Sequence, residues 1–267
     1  MSQALVADVI QFSWVDGPGN RFALFLQGCN FDCKGCHNPQ TIPLESIHAR
    51  TVTPESMLDE IKRAVPHISG VTVSGGEATL QPRFVYELFA AIKADPVTRL
   101  LTTFIDTNGS AENDVWELLL PVTDGFMIDL KAFSDTLHIE LTGKSNVAVL
   151  HAIRYLSRAG KLYETRLMLA PGINDSDEEL RSIAAWLLSV DPAMRIKVNH
   201  FHAHGTRHPA SEWPEADDER KAHYATVLRS PPSGGTPRRL PMASSIPTTF
   251  RRSPRSCARS PSDCSGW

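Results

Sequence analysis

Short apolar runs alternate with amphipathic segments along the chain from Phe22 onward. Each run spans four to seven residues, a usual strand length, and the segments between the runs repeat their apolar positions at the helical period. This alternation is typical of strand–helix units around a parallel sheet. We therefore predict strands at residues 22–27, 71–74, 100–106, 126–130, 163–169 and 196–201.

The six amphipathic segments are the predicted helices. Thr53 stands at an N-cap position before the first of them, and Gly160 stands at a C-cap position after the fourth. Six strand–helix units, rather than the eight of a closed barrel, predict an α/β fold of the partial (β/α)6 barrel type. The predicted helices cover residues 54–65, 81–94, 113–120, 146–159, 176–190 and 217–228.

A polar motif follows each predicted strand. In α/β barrels the loops after the strands converge on one face, and that face carries the active site. The sequence therefore predicts one shared functional face. Its motifs are the cysteine loop at residues 29–38, Gly75-Gly76-Glu77, Asp106-Thr107-Asn108-Gly109, Asp129 with Lys131, Pro171-Gly172, and the histidine-rich residues 200–204.

Three cysteines lie within eight residues of the first loop, at Cys29, Cys33 and Cys36. Thiolates at this spacing can hold a 4Fe-4S cluster and leave one iron without a protein ligand, where chemistry can take place. The alternative is a zinc-stabilised binding module, in which His37 completes a structural zinc site as fourth ligand. The spacing alone does not separate these two hypotheses.

Length and charge narrow the class of protein. A chain of 267 residues can form one large domain, and we expect that domain to span residues 1–228. Residues 1–230 hold 21 basic and 29 acidic side chains. This balance argues against nucleic-acid binding, because such domains owe most of their affinity to basic surfaces.

The tail, residues 229–267, is rich in Pro, Ser and Arg and shows neither a helical nor a strand period. Such a segment cannot bury enough apolar surface to offset its ordering entropy, so we expect it to be disordered. The abrupt change of composition fits either a change of reading frame or a natural linker.

Cysteine usage and apolar run lengths bear on the compartment. Residues 1–8 lack the basic and apolar regions of a signal peptide, and no apolar run approaches the length of a membrane span. Five cysteines, three of them in one loop, suit metal binding in a reducing compartment better than a disulfide framework. We expect a cytoplasmic monomer that does not act on membranes.

The motifs also match a known family in their order along residues 9–228. They are Val15-Asp16-Gly17-Pro18-Gly19 with Arg21, the cysteine loop through Pro39, Thr72-Val73-Ser74-Gly75-Gly76-Glu77-Ala78, Asp106-Thr107-Asn108-Gly109, Asp129-Leu130-Lys131, Leu141-Thr142-Gly143 and Ala170-Pro171-Gly172. This set resembles the radical S-adenosylmethionine (radical SAM) enzymes. Within that superfamily it is similar to the activating enzymes of glycyl radical enzymes.

The resemblance implies a partial barrel of the radical SAM type and two cofactors. Cys29, Cys33 and Cys36 would hold one 4Fe-4S cluster, and S-adenosylmethionine would chelate its fourth iron. No catalytic side chain is implied beyond the cluster and cofactor sites. The residues implied to bind S-adenosylmethionine are Gly35, Cys36, His37, Asn38, Gly75, Gly76, Glu77, Asp129, Lys131 and His202.

Two further sites follow from the resemblance. Asp16 matches a stretch that lies at the mouth receiving the target protein, so we expect it to position the substrate. Some relatives also bind a monovalent cation. The residues at the matching positions are Asp106, Thr107, Met127 and Asp129.

The implied activity is that of an anaerobic oxidoreductase. A flavodoxin or ferredoxin would reduce the cluster, because residues 37–70 contain no further cysteine for a second cluster. Cleavage of S-adenosylmethionine would give methionine and a 5′-deoxyadenosyl radical. This radical would take a hydrogen from the Cα of one glycine in a partner glycyl radical enzyme. The rival within the superfamily is an enzyme acting on a small molecule, similar to a deazapurine synthase.

Overall fold

The computed structural model describes residues 2–229, so all but the first residue of the predicted tail lies outside the described residues. The strands are β1 (Ala4–Ser13), β2 (Arg21–Leu26), β3 (Arg50–Val52), β4 (Gly70–Gly75), β5 (Thr102–Thr107), β6 (Gly125–Asp129), β7 (Leu162–Leu169) and β8 (Ile196–His200). The helices are α1 (Pro54–Ala64), α2 (Pro82–Ala94), α3 (Asn113–Leu119), α4 (Asp135–Thr142), α5 (Val147–Arg158), α6 (Asp177–Val190) and α7 (Asp218–Arg229).

The strands form a single sheet in the order β3-β1-β2-β4-β5-β6-β7-β8. Six of them, β2 and β4 to β8, run parallel to one another. The two others, β1 and β3, pair antiparallel at one edge. The predicted partial (β/α)6 barrel is therefore confirmed, with an antiparallel extension that the sequence pattern did not predict.

Every predicted strand and helix is present, with bounds within two residues of those expected. Three elements were missed. Strand β1 precedes the first strand–helix unit, and β3 has only three residues. Helix α4 was missed because its buried side chains include His138 and Thr142 beside Leu141, so its buried face shows no apolar period.

The side-chain alternation along the parallel strands separates the core from the polar interior. On β5, β6 and β7, the residues Ile105, Ile128 and Leu167 belong to the apolar core that the helices cover. Their neighbours along the chain project to the opposite face of the sheet. That face carries Asp106 and Asp129 at the ends of β5 and β6, and Glu164, Arg166 and Met168 along β7.

Local signals fix where the helices begin and end. Thr53 and Ser56 form a reciprocal capping box at the start of α1, with Ser56 N donating to Thr53 Oγ1 over 3.3 Å. Ser176 accepts from Glu179 N at the start of α6. Gly160 follows α5 at a φ of +67°, as a C-cap glycine does. Among residues 2–229, no helix combines the length and the apolar character needed to cross a bilayer.

Candidate functional site

A cavity of about 230 Å³ opens where the loops after the parallel strands meet. Thirteen of the sixteen residues predicted to form a site line this cavity, which agrees with a shared functional face. They are Asp16, Cys29, Cys33, Gly35, Cys36, His37, Asn38, Gly75, Gly76, Asp106, Thr107, Asp129 and Lys131.

The three cysteines form no disulfide and all face the cavity. The backbone of their loop is held in place, since Cys29 N donates to Ile42 O over 3.0 Å and Cys36 N donates to Cys33 O over 3.2 Å. Burial raises the pKa of Cys29 to about 11 and that of Cys33 to about 12. A bound cation would therefore be needed to keep these thiols ionised at neutral pH, and three such donors on one wall fit an iron–sulfur cluster.

The zinc alternative required His37 as a fourth ligand. Its Nε2 instead donates to the backbone carbonyl of His202 over 2.9 Å, and its ring lies 5.6 Å from that of Phe201. In the part of the chain that the structure describes, no three His, Cys, Asp or Glu side chains lie close enough to hold one metal ion. The arrangement does not provide the three-cysteine, one-histidine set of a structural zinc site.

The glycine pair after β4 is required by the protein's own backbone. A Cβ atom at Gly75 would lie 2.1 Å from Leu26 N, and one at Gly76 would lie 2.2 Å from Gly28 O. Gly75 also has a φ of +123°, which side chains rarely tolerate. The two glycines thus let the loop after β4 pack against the end of β2, while both still line the cavity.

Glu77 lies behind the cavity wall and is 1% exposed. Its Oε1 accepts from Thr79 N, Thr79 Oγ1 and Thr107 Oγ1 over 2.6–2.9 Å, and its Oε2 accepts from Asn108 N over 2.7 Å. Burial raises the pKa of this carboxyl, although these hydrogen bonds oppose the change. Glu77 therefore joins the ends of β4 and β5 and does not line the cavity itself.

A buried ion network includes Asp106, which lines the cavity. Arg166, 5% exposed, donates to Asp106 Oδ2 over 3.1 Å and to Glu164 Oε1 over 2.8 Å. Burial raises the pKa of Asp106 to about 6, while the positive charge of Arg166 acts in the opposite direction. Sequence reasoning missed Arg166 and Glu164. The available signal was two opposite charges spaced two apart in an otherwise apolar strand, which places both on one face.

The residues expected to hold a monovalent cation are only partly brought together. Asp106, Thr107 and Asp129 face the cavity, and Asp106 Oδ1 is buried without a hydrogen-bond partner. Met127 lies outside the cavity lining, and its sulfur accepts from Arg166 Nη2 over 2.8 Å. The oxygen atoms fit such a site better than the sulfur does.

Asp129 and Lys131 face the cavity as an ion pair, with Lys131 Nζ 2.7 Å from Asp129 Oδ2. Strand β6 ends at Asp129, so Lys131 lies just beyond the strand rather than within it. Burial lowers the pKa of Lys131, but the negative charges of Asp129 and Cys33 outweigh this effect and hold the pKa above its usual value. The ammonium group is therefore a fixed positive charge beside the cysteines.

Asp16 lines the cavity, whereas His202 does not. Asp16 faces the cavity, its carboxylate accepts from Ser13 Oγ, and its backbone carbonyl accepts from Thr72 Oγ1 over 2.7 Å. The side chain of His202 is 63% exposed and pairs with Glu215 Oε2 at 2.8 Å. The side chain of His202 therefore lies at the rim of the cavity. Its backbone carbonyl accepts the hydrogen bond from His37, which lines the cavity.

Seven lining residues were not predicted individually, although Phe31 and Asn108 belong to motifs assigned to the functional face. Asn108 Nδ2 lies 3.9 Å from Cys29 Sγ. Ser74 donates to Asp106 Oδ2 over 3.1 Å from the inward face of β4. Alternation along the strands could have indicated Ser74 and Met168, whereas the loop contacts carry no comparable signal. The seven are Phe25, Phe31, Thr41, Ile42, Ser74, Asn108 and Met168.

The sequence of this chain is similar to known proteins over more than half of its length. The family model of the radical SAM superfamily matches residues 24–184. The pyruvate formate-lyase-activating enzyme of Streptococcus mutans is 35% identical over 206 residues, which cover 75% of this chain and 78% of that protein. The corresponding enzyme of Staphylococcus epidermidis is 37% identical over 201 residues, 72% of this chain and 78% of that protein.

Solved structures agree on the fold. A radical SAM methyltransferase from Sphaerobacter thermophilus superposes with a TM-score of 0.60 at 17% identity, over 78% of this chain and 63% of that chain. SuiB from Streptococcus suis, solved bound to S-adenosylmethionine, gives a TM-score of 0.56 at 18% identity, over 75% of this chain and 45% of that chain. At these identities the likeness concerns the fold alone.

Proposed function

The chain belongs to the radical SAM superfamily and, within it, resembles the activating enzymes of glycyl radical enzymes, and on this premise we propose its reaction. It cleaves S-adenosylmethionine reductively and takes one hydrogen atom from the Cα of a glycine in a partner glycyl radical enzyme. The observation that carries the proposal is one cavity lined by three free thiols and by polar groups from the ends of several parallel strands.

The cluster site is the cysteine loop. Cys29, Cys33 and Cys36 would hold a single 4Fe-4S cluster, and Lys131 beside them offsets part of the negative charge. When bound, the cluster and S-adenosylmethionine together supply the one-electron cleavage that gives methionine and a hydrogen-abstracting deoxyadenosyl group. The electron would come from a flavodoxin or ferredoxin.

The residues around the loop would orient S-adenosylmethionine. Residues 35–38 and 75–76 line the cavity, and Asp129 and Lys131 add one charge of each sign. Glu77 is a positioning residue, because it holds the walls without facing the cavity. His202 is proposed as a rim contact that also orients the ring of His37.

A monovalent cation would bind beside the cofactor at Asp106, Thr107 and Asp129, with Met127 as the weakest candidate ligand. The unpartnered Oδ1 of Asp106 supports this placement, since a buried polar oxygen is costly without a partner. The remaining acceptor, Oδ2, is already satisfied by Ser74 and Arg166.

The partner's glycine would enter past Asp16, whose carbonyl and carboxylate are both fixed by hydrogen bonds. The cavity opens beside Asp16 at the ends of the parallel strands, where a flexible loop of a protein substrate could bring its glycine beside the cofactor. We propose that residues 1–228 act as one domain, as a cytoplasmic monomer, and that residues 229–267 take no part in the reaction.

An isotope-transfer experiment tests the reaction. The reconstituted, prereduced protein is mixed without air with S-adenosylmethionine and a peptide copying the glycine loop of pyruvate formate-lyase, deuterated at the glycine Cα. We expect deuterium in the 5′-deoxyadenosine, measured by mass spectrometry. With intact pyruvate formate-lyase, we expect an electron paramagnetic resonance doublet from the one remaining α-hydrogen.

Two controls make the result specific. A peptide with alanine in place of the glycine should react less, because its Cα is more crowded. The Cys33→Ala variant should neither cleave the cofactor nor move deuterium. The contrary outcome is cleavage of S-adenosylmethionine by the parent protein with no deuterium in the 5′-deoxyadenosine and no radical on a glycyl radical enzyme. The substrate would then be a small molecule, and the proposal would be wrong.

A further inference from the structure

The segment Leu141-Thr142-Gly143, whose role the family resemblance leaves open, ends helix α4 directly against the cysteine loop. Asp32 N donates to Thr142 O over 3.0 Å, and Lys34 N donates to Leu141 O over 2.9 Å. The last carbonyls of a helix have no partner within the helix. Two of them are satisfied here by the two amides that flank Cys33 in the sequence.

The turn that offers these carbonyls is itself fixed from behind. Thr142 Oγ1 donates to His138 O over 2.8 Å and accepts from Lys144 N over 3.1 Å. The ring of His138 donates through Nδ1 to Lys144 O over 2.7 Å. Gly143 follows at a φ of +77°, and its N–H donates to Ile139 O over 2.8 Å. Thr142 and His138 are both at most 1% exposed, so water cannot replace these bonds.

A second contact joins α4 to the loop. The ring of His138 meets that of Phe31 edge to face, with centroids 5.8 Å apart. Phe31 lies between Cys29 and Cys33 and lines the cavity. The loop is therefore held by α4 at Phe31, Asp32 and Lys34, on both sides of the middle cysteine.

We propose that the turn Leu141–Gly143, braced by Thr142 and His138, is the positioning element of the cluster site. It fixes the backbone on both sides of Cys33, so that this thiolate is already placed when the cluster forms and cannot move away without breaking two hydrogen bonds. The inference rests on the proposed cluster. It assigns to the motif the retention of iron, rather than any contact with S-adenosylmethionine or the substrate.

Two matched glycine variants test this role. Gly143 and Gly160 both end helices at a positive φ, of +77° and +67°, and neither has an atom within 4 Å of the place a Cβ would occupy. Gly143→Ala and Gly160→Ala therefore introduce the same backbone strain without a clash. Only the first strain lies next to the cysteine loop.

We expect similar losses of Tm in the two variants but different cluster stability. After anaerobic reconstitution, Gly143→Ala should release iron to a chelator roughly fivefold faster than the parent, about the effect of one buried hydrogen bond on a rate constant. Gly160→Ala should release iron at the parent rate. Equal release rates in the two variants would overturn the proposal.

Threonine variants provide an independent check. Thr142→Val removes the bracing hydroxyl, while Thr142→Ser keeps it, so iron retention should fall in the first and recover in the second. Thr98→Val is the control, because Thr98 is also fully buried and donates its hydroxyl to Ile92 O over 2.9 Å, far from the cysteine loop. The electron paramagnetic resonance spectrum of the reduced cluster should change only in Thr142→Val.

The outcomes separate this inference from the proposed function. If the parent protein binds no iron and sulfide at all, the cluster assignment fails, and the positioning role fails with it. If the parent holds its cluster but Thr142→Val and Thr98→Val release iron equally fast, only the role of the turn is wrong.

Discussion

Thr72 shows how one hydroxyl can connect a buried charge to the mouth of the site. The side chain of Arg21 is fully buried, and its Nε donates to Thr72 Oγ1 over 3.0 Å. The same hydroxyl donates to the carbonyl of Asp16 over 2.7 Å. Arg21 and Thr72 thus fix the backbone carbonyl of Asp16, although neither of them lines the cavity.

We predict that Thr72→Val weakens the partner's binding without impairing the cofactor. The KM for the glycine-loop peptide should rise roughly fivefold, the effect expected from one lost buried hydrogen bond. Cleavage of S-adenosylmethionine without peptide should keep its rate, because the cysteine loop is untouched. Both rates can be measured by chromatography of 5′-deoxyadenosine.

Thr72→Ser is the matched control, since it retains the hydroxyl and should behave like the parent. If Thr72→Val lowered peptide-independent cleavage as much as peptide-dependent cleavage, the hydroxyl would support the whole site rather than Asp16.

Sequence reasoning located residues that sit in strand-end loops but not the directions of their side chains. The cysteines were found from their compact spacing, and they and the glycine pair were placed together because loops after parallel strands meet on one face. Whether Glu77 or His202 faces the cavity depends on which neighbours compete for its polar atoms. For Glu77 these are four donors, two from the nearby Thr79 and two from Thr107 and Asn108 at the end of β5, and for His202 it is Glu215. Such competition appears only when the chain is folded.

Helix α7 is held in place by a buried carboxylate in the loop after β7. Asp175 is 3% exposed and accepts from Tyr224 Oη over 2.8 Å and from Arg220 Nε over 2.6 Å. Burial raises the pKa of Tyr224 to about 12, and the hydrogen bond to Asp175 acts in the same direction. The phenol therefore remains a donor throughout the range in which the protein would be handled.

We predict that Tyr224→Phe destabilises the protein by about 1 to 2 kcal/mol, because it removes a donor from a buried carboxylate. The midpoint of thermal unfolding, followed by circular dichroism, should fall by roughly 2–8 °C for a domain of this size. Iron content after reconstitution should stay at the parent value. A loss of iron without a loss of Tm would contradict a purely structural role for this contact.

Elements were predictable where burial follows a single period. The parallel strands and the long helices each present an apolar face to the same core, so their patterns are visible in the sequence. Helix α4 buries His138 and Thr142 for their hydrogen bonds, and β1 owes its place to pairing with β2. A helix that buries polar side chains, or a strand defined by its pairing, leaves no apolar period to detect.

At the scale of the whole molecule, the described residues contain the complete set of six parallel strands and their helices. The apolar core is built from residues between Ala4 and Leu228. We therefore predict that a chain ending at Arg229 keeps the Tm and the iron content of the full-length protein. A large fall in Tm on truncation would show that residues 230–267 pack on the barrel.

The four hydrogen bonds to Glu77 explain why this position needs a carboxylate although it touches no cavity. Every group around it is a donor: two backbone amides and two hydroxyls, from Thr79, Thr107 and Asn108. Glutamine is its closest isostere, but in either orientation its NH₂ group would face another donor in place of a lone pair. A carboxylate is therefore required at this position because both of its oxygens accept hydrogen bonds. Glu77→Gln would replace one acceptor by a donor and would destabilise the contact between the ends of β4 and β5.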